Sequence, residues 1–319
     1  MSVVTTAAED SASSQPTGPL AQGARLERVA TAGTWLEGPV WLPHRRCVRF
    51  SDIPGNRILE FSEDTGETSV YCDAAEFTNG RTLDLDGHVV QCSHGRRAVE
   101  RDTGRGVSTL VDTWRGVRFN SPNDVVVKSD GTIWFTDPSY GIKKAHEGHP
   151  GECEYGDHYV FRLDPATGHV DPVVIDVEMP NGLAFSPDES LLYVADSSVE
   201  PPTGVVDPAR PGGHALHVYD VYAGRHCKNG RTFAEVSPGL PDGFRVDVDG
   251  NVWTSSADSV QVFSPAGERI GRIPVPEVVS NVCFGGDDGR TLYVTATTSL
   301  YRIRTTTTDA VTVARSRTA

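Results

Sequence analysis

Six side chains that carry an oxygen recur along the chain, each at the start of a short apolar run. In chain order they are Glu37, Asn79, Asn123, Asn181, Asp242 and Asn281. Carboxylate and amide oxygens suit a hard cation such as Ca²⁺, which takes about six to eight oxygen ligands. Glu37 and Asp242 would supply two negative charges, which match a dication. Local turn geometry is the alternative explanation, because Asn and Asp before glycine favour tight turns, but it does not account for Glu37.

The elements that would bring these residues together form a repeat. Each copy consists of an apolar run, a turn such as Asp-Gly, and further apolar runs, and the copies start at intervals of 39 to 61 residues. Repeats of about 40–50 residues with four short strands each indicate a β-propeller. Six copies predict an all-β, six-bladed propeller with four-stranded antiparallel blades. The innermost strand of each blade lines the central channel, so we expect the six residues at one mouth of that channel.

The ends of the chain complete the predicted ring. The sixth repeat stops after about three strands, and residues 24–30 are the natural fourth strand, so both termini would close the ring without a free sheet edge. We therefore predict a disordered leader over residues 1–23, one propeller domain over 24–305 and a tail over 306–319. The two long intervals predict loop insertions at residues 143–157 and 200–213.

Composition excludes several classes of protein. Lys and Arg number 29 against 43 Asp and Glu, giving a net charge of −14, which disfavours nucleic-acid binding. No apolar run is long enough to cross a membrane. The six cysteines are scattered without metal-knuckle spacing, so we expect free thiols. The N-terminus does not resemble a secretory signal, and we therefore expect a cytoplasmic protein. A closed ring favours a monomer.

Long collinear motifs resemble the SMP-30/gluconolactonase family, which includes the regucalcin-like proteins. The motifs are EGPVW at Glu37, FNSPNDVVVKSDGTIWFTDPSYGI at Phe119, MPNGLAFSPDESLLYVAD at Met179, DGFRVDVDGNVWTS at Asp242 and NVCFGGDDGRTLYVTATTSLY at Asn281. The resemblance extends over residues 24–304. It implies a six-bladed propeller that binds one divalent cation in its channel and hydrolyses a sugar lactone to an aldonic acid.

The resemblance also implies roles for individual residues. Glu37, Asn181 and Asp242 would bind the cation, and Asn123 would bind it or hold substrate. Asp242 would be the general base that activates water. Ca²⁺ is the expected ion, and Zn²⁺, Mn²⁺ and Mg²⁺ are alternatives, because the oxygen ligand types do not distinguish among them.

Further candidates for substrate binding flank these motifs. The resemblance places Arg118 and Asn120 in this role, and His94 lies in an HG-x-R stretch like that of bacterial gluconolactonases. Tyr140 would cover a sugar ring at the start of the longer insertion. For His94 and Tyr140, packing within the core or a turn is the alternative. His146, His149 and His158 in or beside the same insertion are expected to be solvated.

Two other functions stay open. One is a different metal-dependent hydrolase on the same scaffold, such as an esterase or an organophosphate-hydrolysing enzyme, because a fold does not determine its reaction. The other is a non-catalytic calcium-binding or interaction propeller, against which the two carboxylates Glu37 and Asp242 argue.

Overall fold

The computed structural model describes residues 15–198 and 213–311. It contains six four-stranded antiparallel sheets. The first three are built in chain order from the inside outwards. Blade 1 contains β2 (Leu36–Leu42), β3 (Cys47–Asp52), β4 (Arg57–Ser62) and β5 (Thr68–Cys72). Blade 2 contains β6 (Thr78–Leu83), β7 (Val89–Ser93), β8 (Ala98–Asp102) and β9 (Val107–Val111). Blade 3 contains β12 (Val125–Val127), β13 (Ile133–Asp137), β14 (Tyr159–Asp164) and β15 (His169–Val174).

The other three blades complete the ring. Blade 4 contains β16 (Pro180–Phe185), β17 (Leu191–Asp196), β18 (Ala215–Tyr222) and β19 (His226–Glu235). Blade 5 contains β20 (Phe244–Val246), β21 (Val252–Thr254), β22 (Ser259–Phe263) and β23 (Arg269–Pro274). Blade 6 contains β24 (Val279–Gly285), β25 (Thr291–Ala296) and β26 (Ser299–Arg304), with β1 (Glu27–Thr31) as its outer strand. The predicted six-bladed propeller, with its ring closed by the two termini, is confirmed.

Three short elements lie outside the blades. A hairpin of β10 (Thr113–Trp114) and β11 (Val117–Arg118) precedes blade 3, and a 3-10 helix covers Pro43–Arg45. The helix α1 (Tyr140–Lys143) opens the predicted insertion between β13 and β14. No helix among the described residues is long and apolar enough to span a membrane.

The core is divided among the contacts between neighbouring blades. Blades 5 and 6, for example, share a cluster that includes Trp253, Val282 and Leu292, all fully buried. The apolar cluster between blades 1 and 2 is small, and a buried polar network adjoins it. There, Arg49 donates to Glu60 at 2.7 and 2.9 Å and to Asp102 at 2.8 Å, and Tyr71 donates to Asp102 at 2.8 Å. These groups are charged and buried but paired, as burial requires.

The described parts of the predicted leader and tail contact the propeller. Thr17 pairs with Arg272 on blade 5, and Leu20 pairs with Thr305. In the tail, the Ala310 N–H donates to the Val246 carbonyl at 2.9 Å. Residues 1–14 and 312–319, together with nearly all of the second predicted insertion, lie outside the described residues. All six cysteines are free thiols, as predicted.

Candidate functional site

The six residues of the predicted constellation occupy the same end of the six innermost strands. We call Glu37, Asn79, Asn123, Asn181, Asp242 and Asn281 the mouth ring. Asp242 is half-buried, and the other five are at most 6% exposed. Asn123 and Asp242 precede their strands by two residues, close to the predicted position just before the strand. The other four lie inside their strands, because these strands begin earlier than predicted.

Irregular pairing explains that difference. In blades 1, 2, 4 and 6, the register between the innermost strand and its neighbour shifts at the mouth-ring residue or immediately beside it. Such bulges bend a strand and redirect a side chain. The sequence pattern does not reveal them, because the apolar alternation resumes only after the bulge.

Glycines allow the inner strands to approach one another closely. A Cβ added to Gly182 would lie 2.4 Å from the main-chain oxygen of Asp242, and one added to Gly243 would lie 1.9 Å from Cγ of Asn281. Neither glycine has a positive φ. Glycine is therefore required after Asn181 and Asp242 because the strands approach closely there, and not because the chain makes a tight turn. At these two positions, turn geometry does not explain the Asn and Asp residues.

Two carboxyl groups meet in the mouth ring. The carboxyl groups of Asp242 and Glu37 are neighbours and interact electrostatically. Glu37 Oε2 also accepts from the Gly38 N–H at 2.8 Å and from Asn281 Nδ2 at 3.3 Å. Burial raises the pKa of Glu37 to about 7, and burial together with the Glu37 charge raises the pKa of Asp242 well above its usual range. Neighbouring buried carboxylates disfavour joint ionisation, so the pair needs a shared proton or a cation.

A layer of charged residues lies beside the mouth ring, and the sequence analysis did not identify it. Asp124 is buried beside Asn123, and its Oδ2 lies 3.5 Å from Nη1 of Arg245. Arg81 is fully buried and donates to the Gly38 carbonyl and to Ser51 Oγ, both at 2.6 Å. Burial lowers the pKa of Arg81 to about 9. The sequence carries one signal of this layer, namely charged residues at inward-facing positions of the innermost strands.

His94 is fully buried and contacts the mouth ring. Its Nδ1 lies 2.9 Å from the carbonyl oxygen of Glu147, so Nδ1–H is the donor there. Its Nε2 lies 3.4 Å from Asn79 Nδ2 and is therefore the acceptor. Burial lowers the pKa of His94, which favours this neutral tautomer. His94 thus lies beneath the surface and connects the mouth ring to the insertion.

Tyr140 lies near the carboxyl pair. Its hydroxyl donates to the Ser197 carbonyl at 3.3 Å. Burial raises the Tyr140 pKa far above its usual range, and the neighbouring Asp242 carboxylate adds to the effect. Lys144 Nζ lies 4.9 Å from the centroid of the Tyr140 ring. The role of Tyr140 in covering a substrate stays a prediction.

Asn120 and Arg118 contact other parts of the fold. The fully buried Asn120 amide donates to the carbonyls of Asp137 and Asp157 and to the Tyr155 hydroxyl, at 2.8 to 3.0 Å. Arg118 is exposed, and its guanidinium donates to the Arg96 carbonyl at 3.0 Å. The Arg118 main-chain N–H donates to Glu154 Oε2 at 2.9 Å, so both residues support the base of the insertion, and none of these contacts includes a mouth-ring residue.

All three histidines that were expected to be solvated have a polar neighbour, and His146 Nε2 lies 3.6 Å from Glu147 Oε1. His149 Nε2 lies 3.1 Å from Glu76 Oε2, and His158 lies 2.7 Å from the Glu178 carbonyl and 3.0 Å from Ser139 Oγ. His158 connects its segment to the turn before blade 4, and burial lowers its pKa. His146 and His149 are exposed, in agreement with the expectation of solvated side chains, whereas His158 is half-buried and does not meet it.

A second group with metal-ligand chemistry lies in the turn between β6 and β7. Asp84, Asp86 and His88 have potential ligand atoms within 4.8 Å of one another. Arg101 Nε lies 2.9 Å from Asp84 Oδ2, so a cation already faces the buried carboxylate. The Asp84 Oδ1 accepts main-chain N–H groups at 2.8 and 3.0 Å, which is typical of a polar turn.

Comparison with known proteins identifies the family. The family model described as SMP-30/gluconolactonase/LRE-like region matches residues 35–298. The chain belongs to this family. A gluconolactonase of Zymomonas mobilis is 34% identical over 308 residues, covering 88% of this chain and 82% of the relative. A pentonolactonase of Haloferax volcanii is 30% identical, covering 81% and 80%.

A solved structure has the same architecture. It is that of a gluconolactonase from Xanthomonas campestris, with a TM-score of 0.83 and 37% identity, covering 92% of this chain and 95% of the other. The predicted family is therefore confirmed, and the predicted enzyme class, a lactonase acting on a carboxylic ester, agrees with these relatives.

Proposed function

We propose that this protein hydrolyses a sugar lactone at the mouth ring with the aid of one divalent cation. The observation that carries the proposal is the pair of carboxyl groups formed by the buried Glu37 and the half-buried Asp242, which is surrounded by amide side chains at the end of the channel. The gluconolactonase and pentonolactonase relatives support a sugar lactone as the substrate class.

The donor set fits a hard cation. Glu37, Asn123, Asn181 and Asp242 would hold it, and all four offer oxygen. Burial raises the pKa of both carboxyl groups, and among the described residues neither forms an ion pair with a Lys or Arg side chain, which supports a bound cation as their counter-charge. Ca²⁺ is the ion we expect, and Zn²⁺, Mn²⁺ and Mg²⁺ also accept oxygen ligands. A bound cation would polarise the lactone carbonyl and stabilise negative charge that develops on its oxygen.

The other roles belong to the protein's own side chains. Asp242 is the half-buried member of the pair, so its carboxylate can reach a water and accept its proton as general base. Glu37 is only 3% exposed and is fixed by Gly38 and Asn281, which suits a ligand that stays in place. The amide of Asn123 can donate to a substrate hydroxyl.

Residues beyond the carboxyl pair complete the proposed site. Tyr140 covers the bound sugar, and His94 positions the insertion through the Glu147 carbonyl. Asn120 and Arg118 act on the substrate only indirectly, by supporting the base of that insertion. We also expect a monomer in the cytoplasm.

A lactone panel tests the proposal. Ring opening of glucono-1,5-lactone and of pentonolactones is monitored through the proton that hydrolysis releases. The assay is run after treatment with a chelator and again after addition of each of the four ions. We expect activity that a chelator abolishes and one ion restores. Asp242→Asn should remove turnover while the thermal transition persists, whereas Asp86→Asn, in the second acidic group, should retain both. If no lactone opens with any ion, the proposal is wrong.

A further inference from the structure

Asn79 is the mouth-ring residue to which the proposed function assigns no role. It lies between two proposed ligands of the cation. A Cβ added to Gly38, which follows Glu37, would lie 2.1 Å from the Asn79 carbonyl oxygen. On the other side, the Gly80 N–H donates to the Asn123 carbonyl at 2.8 Å. The main chain that carries the Asn79 side chain is therefore held next to both Glu37 and Asn123.

The orientation of the Asn79 amide follows from its contact with His94. The Glu147 carbonyl can only accept, so His94 Nδ1 carries the proton at their 2.9 Å contact and Nε2 is an acceptor. The group that lies 3.4 Å from Nε2 must then be a donor, which identifies it as the Asn79 NH₂. Oδ1 of Asn79 consequently faces away from His94.

Packing keeps the His94 ring in this orientation. The ring is fully buried, and a Cβ added to Gly141 of α1 would lie 2.6 Å from Cβ and 2.7 Å from Cγ of His94. Turning the ring over would also remove both of its hydrogen bonds, which is costly for buried polar groups. His94 therefore holds the Asn79 amide in one of its two orientations.

Oδ1 of Asn79 is available as an acceptor. Among the described residues none donates a hydrogen bond to this atom, and it remains accessible to solvent. The other amide oxygens of the mouth ring have partners, since Asn281 Oδ1 accepts from the Val282 N–H at 2.8 Å and those of Asn123 and Asn181 would bind the cation. Asn79 supplies the remaining one, and a hydroxyl is the group of a polyhydroxy lactone that can donate to it.

We propose that Asn79 Oδ1 accepts a hydrogen bond from a hydroxyl group of the lactone, and that His94 is the positioning residue that turns this acceptor towards the substrate. The inference rests on the proposed lactonase function and narrows its substrate class to lactones with a hydroxyl group at one particular position. A lactone without that hydroxyl leaves a polar atom of the site unpaired, which weakens its binding in the transition state.

The test combines Asn79→Leu with lactones that lack a single hydroxyl group. Leucine has nearly the shape of asparagine and no acceptor. The substrates are glucono-1,5-lactone and its 2-, 3-, 4- and 6-deoxy derivatives. The measured quantity is kcat/KM for the parent lactone divided by kcat/KM for each derivative. In Asn79→Leu one of these ratios should fall about fivefold, which is about 1 kcal/mol at 25 °C and the value of a typical hydrogen bond, while the others stay as in the wild type.

His94 is tested by the same ratio. His94→Phe keeps an aromatic ring and removes both hydrogen bonds, so the ratio that Asn79→Leu lowers should fall as well, and the double variant should show no further fall. His149→Phe makes the same change at an exposed histidine of the insertion and should leave every ratio unchanged. If thermal unfolding shows that a variant does not fold, Asn79→Ala or His94→Leu takes its place.

Outcomes for the two proposals are separable. A merely structural role of Asn79 would slow the opening of all the lactones alike. Ratios that Asn79→Leu leaves unchanged therefore overturn the role of Asn79 and leave the lactonase standing. A wild-type protein that opens no lactone overturns the proposed function. Binding of gluconate and its deoxy derivatives, measured by calorimetry, then decides on Asn79. Loss of discrimination against one deoxy compound in Asn79→Leu supports hydroxyl recognition, and equal or undetectable binding by both proteins refutes it.

Discussion

Replacing Gly182 by alanine adds a single methyl group, but we expect this change to disrupt the mouth ring. Gly182 follows Asn181, and its N–H donates to the Asp242 carbonyl at 3.1 Å. A Cβ there would lie 2.4 Å from that same oxygen and 3.0 Å from Cα of Gly243. Both neighbours are main-chain atoms, so relief requires the innermost strands of blades 4 and 5 to separate.

The magnitude follows from the overlap. Forcing an extra methyl into a packed site costs about 1–3 kcal/mol, and the main-chain hydrogen bond that would lengthen is worth about 1 kcal/mol. We therefore expect Gly182→Ala to lower the free energy of unfolding by about 2–4 kcal/mol. Because Asn181 and Asp242 flank the contact, lactone turnover should fall more than the loss of folded protein explains.

Urea denaturation at 25 °C measures the first effect, and turnover per folded molecule measures the second. Gly106→Ala is the matched control, since nothing lies within 4 Å of its added Cβ and its φ is not positive. That substitution should be neutral or slightly stabilising, because alanine restricts the unfolded chain. Equal transitions for the two variants would refute the close-approach explanation of the glycines in the mouth ring.

Three further predictions concern buried charge. Because burial raises the folded-state pKa of Glu37 to about 7, its contribution to stability in metal-free protein is present below pH 4.5 and is lost as the pH rises to about 7. Glu37→Gln should reduce that fall in urea titrations between pH 4.5 and 8, and an unchanged pH profile would contradict the assignment. Adding Ca²⁺ at pH 8 should raise the thermal transition of the wild type but not of Glu37→Gln, as ligand linkage requires, and equal shifts would argue for a site elsewhere. Asp102→Asn should destabilise the contact between blades 1 and 2 by about 3 kcal/mol, because it leaves the buried Arg49 without part of its counter-charge, whereas a near-zero change in denaturation would mean that Glu60 alone suffices.

The repeat in the sequence was sufficient to predict the propeller and the mouth ring. Each blade places its first strand at the channel, so one position read across six copies identifies residues that are distant in sequence but meet in space. The bulges at Glu37 and Asn181 could not be predicted in the same way. They arise from crowding around the channel, which depends on the neighbouring blade rather than on the local pattern.

The insertion between β13 and β14 marks the limit of sequence reasoning at this site. Tyr140 and His94 were identifiable from their motifs, but their contacts depend on a loop whose composition resembles that of a solvated surface. Glu147 lacked a signal of its own, since a glutamate among lysines and histidines is ordinary in a loop. Its position follows from the tight packing of Gly141 on His94, a tertiary contact between blades 2 and 3.

The charged groups around the mouth ring explain why a proton and a cation would compete for the same carboxyl pair. Glu37, Asp242 and Asp124 are three acidic groups, and Arg81 and Arg245 are two basic ones, so full ionisation leaves one excess negative charge. Burial raises the pKa of Glu37 and of Asp242, which favours a proton on the pair when no cation is bound. A dication that displaces the proton turns the balance positive by one charge, which favours the negative charge that develops when a lactone carbonyl is attacked. Under the proposed function, Arg81 and Arg245 would contribute to the chemistry, because without them the pair would hold its proton more tightly and bind the cation only at higher pH.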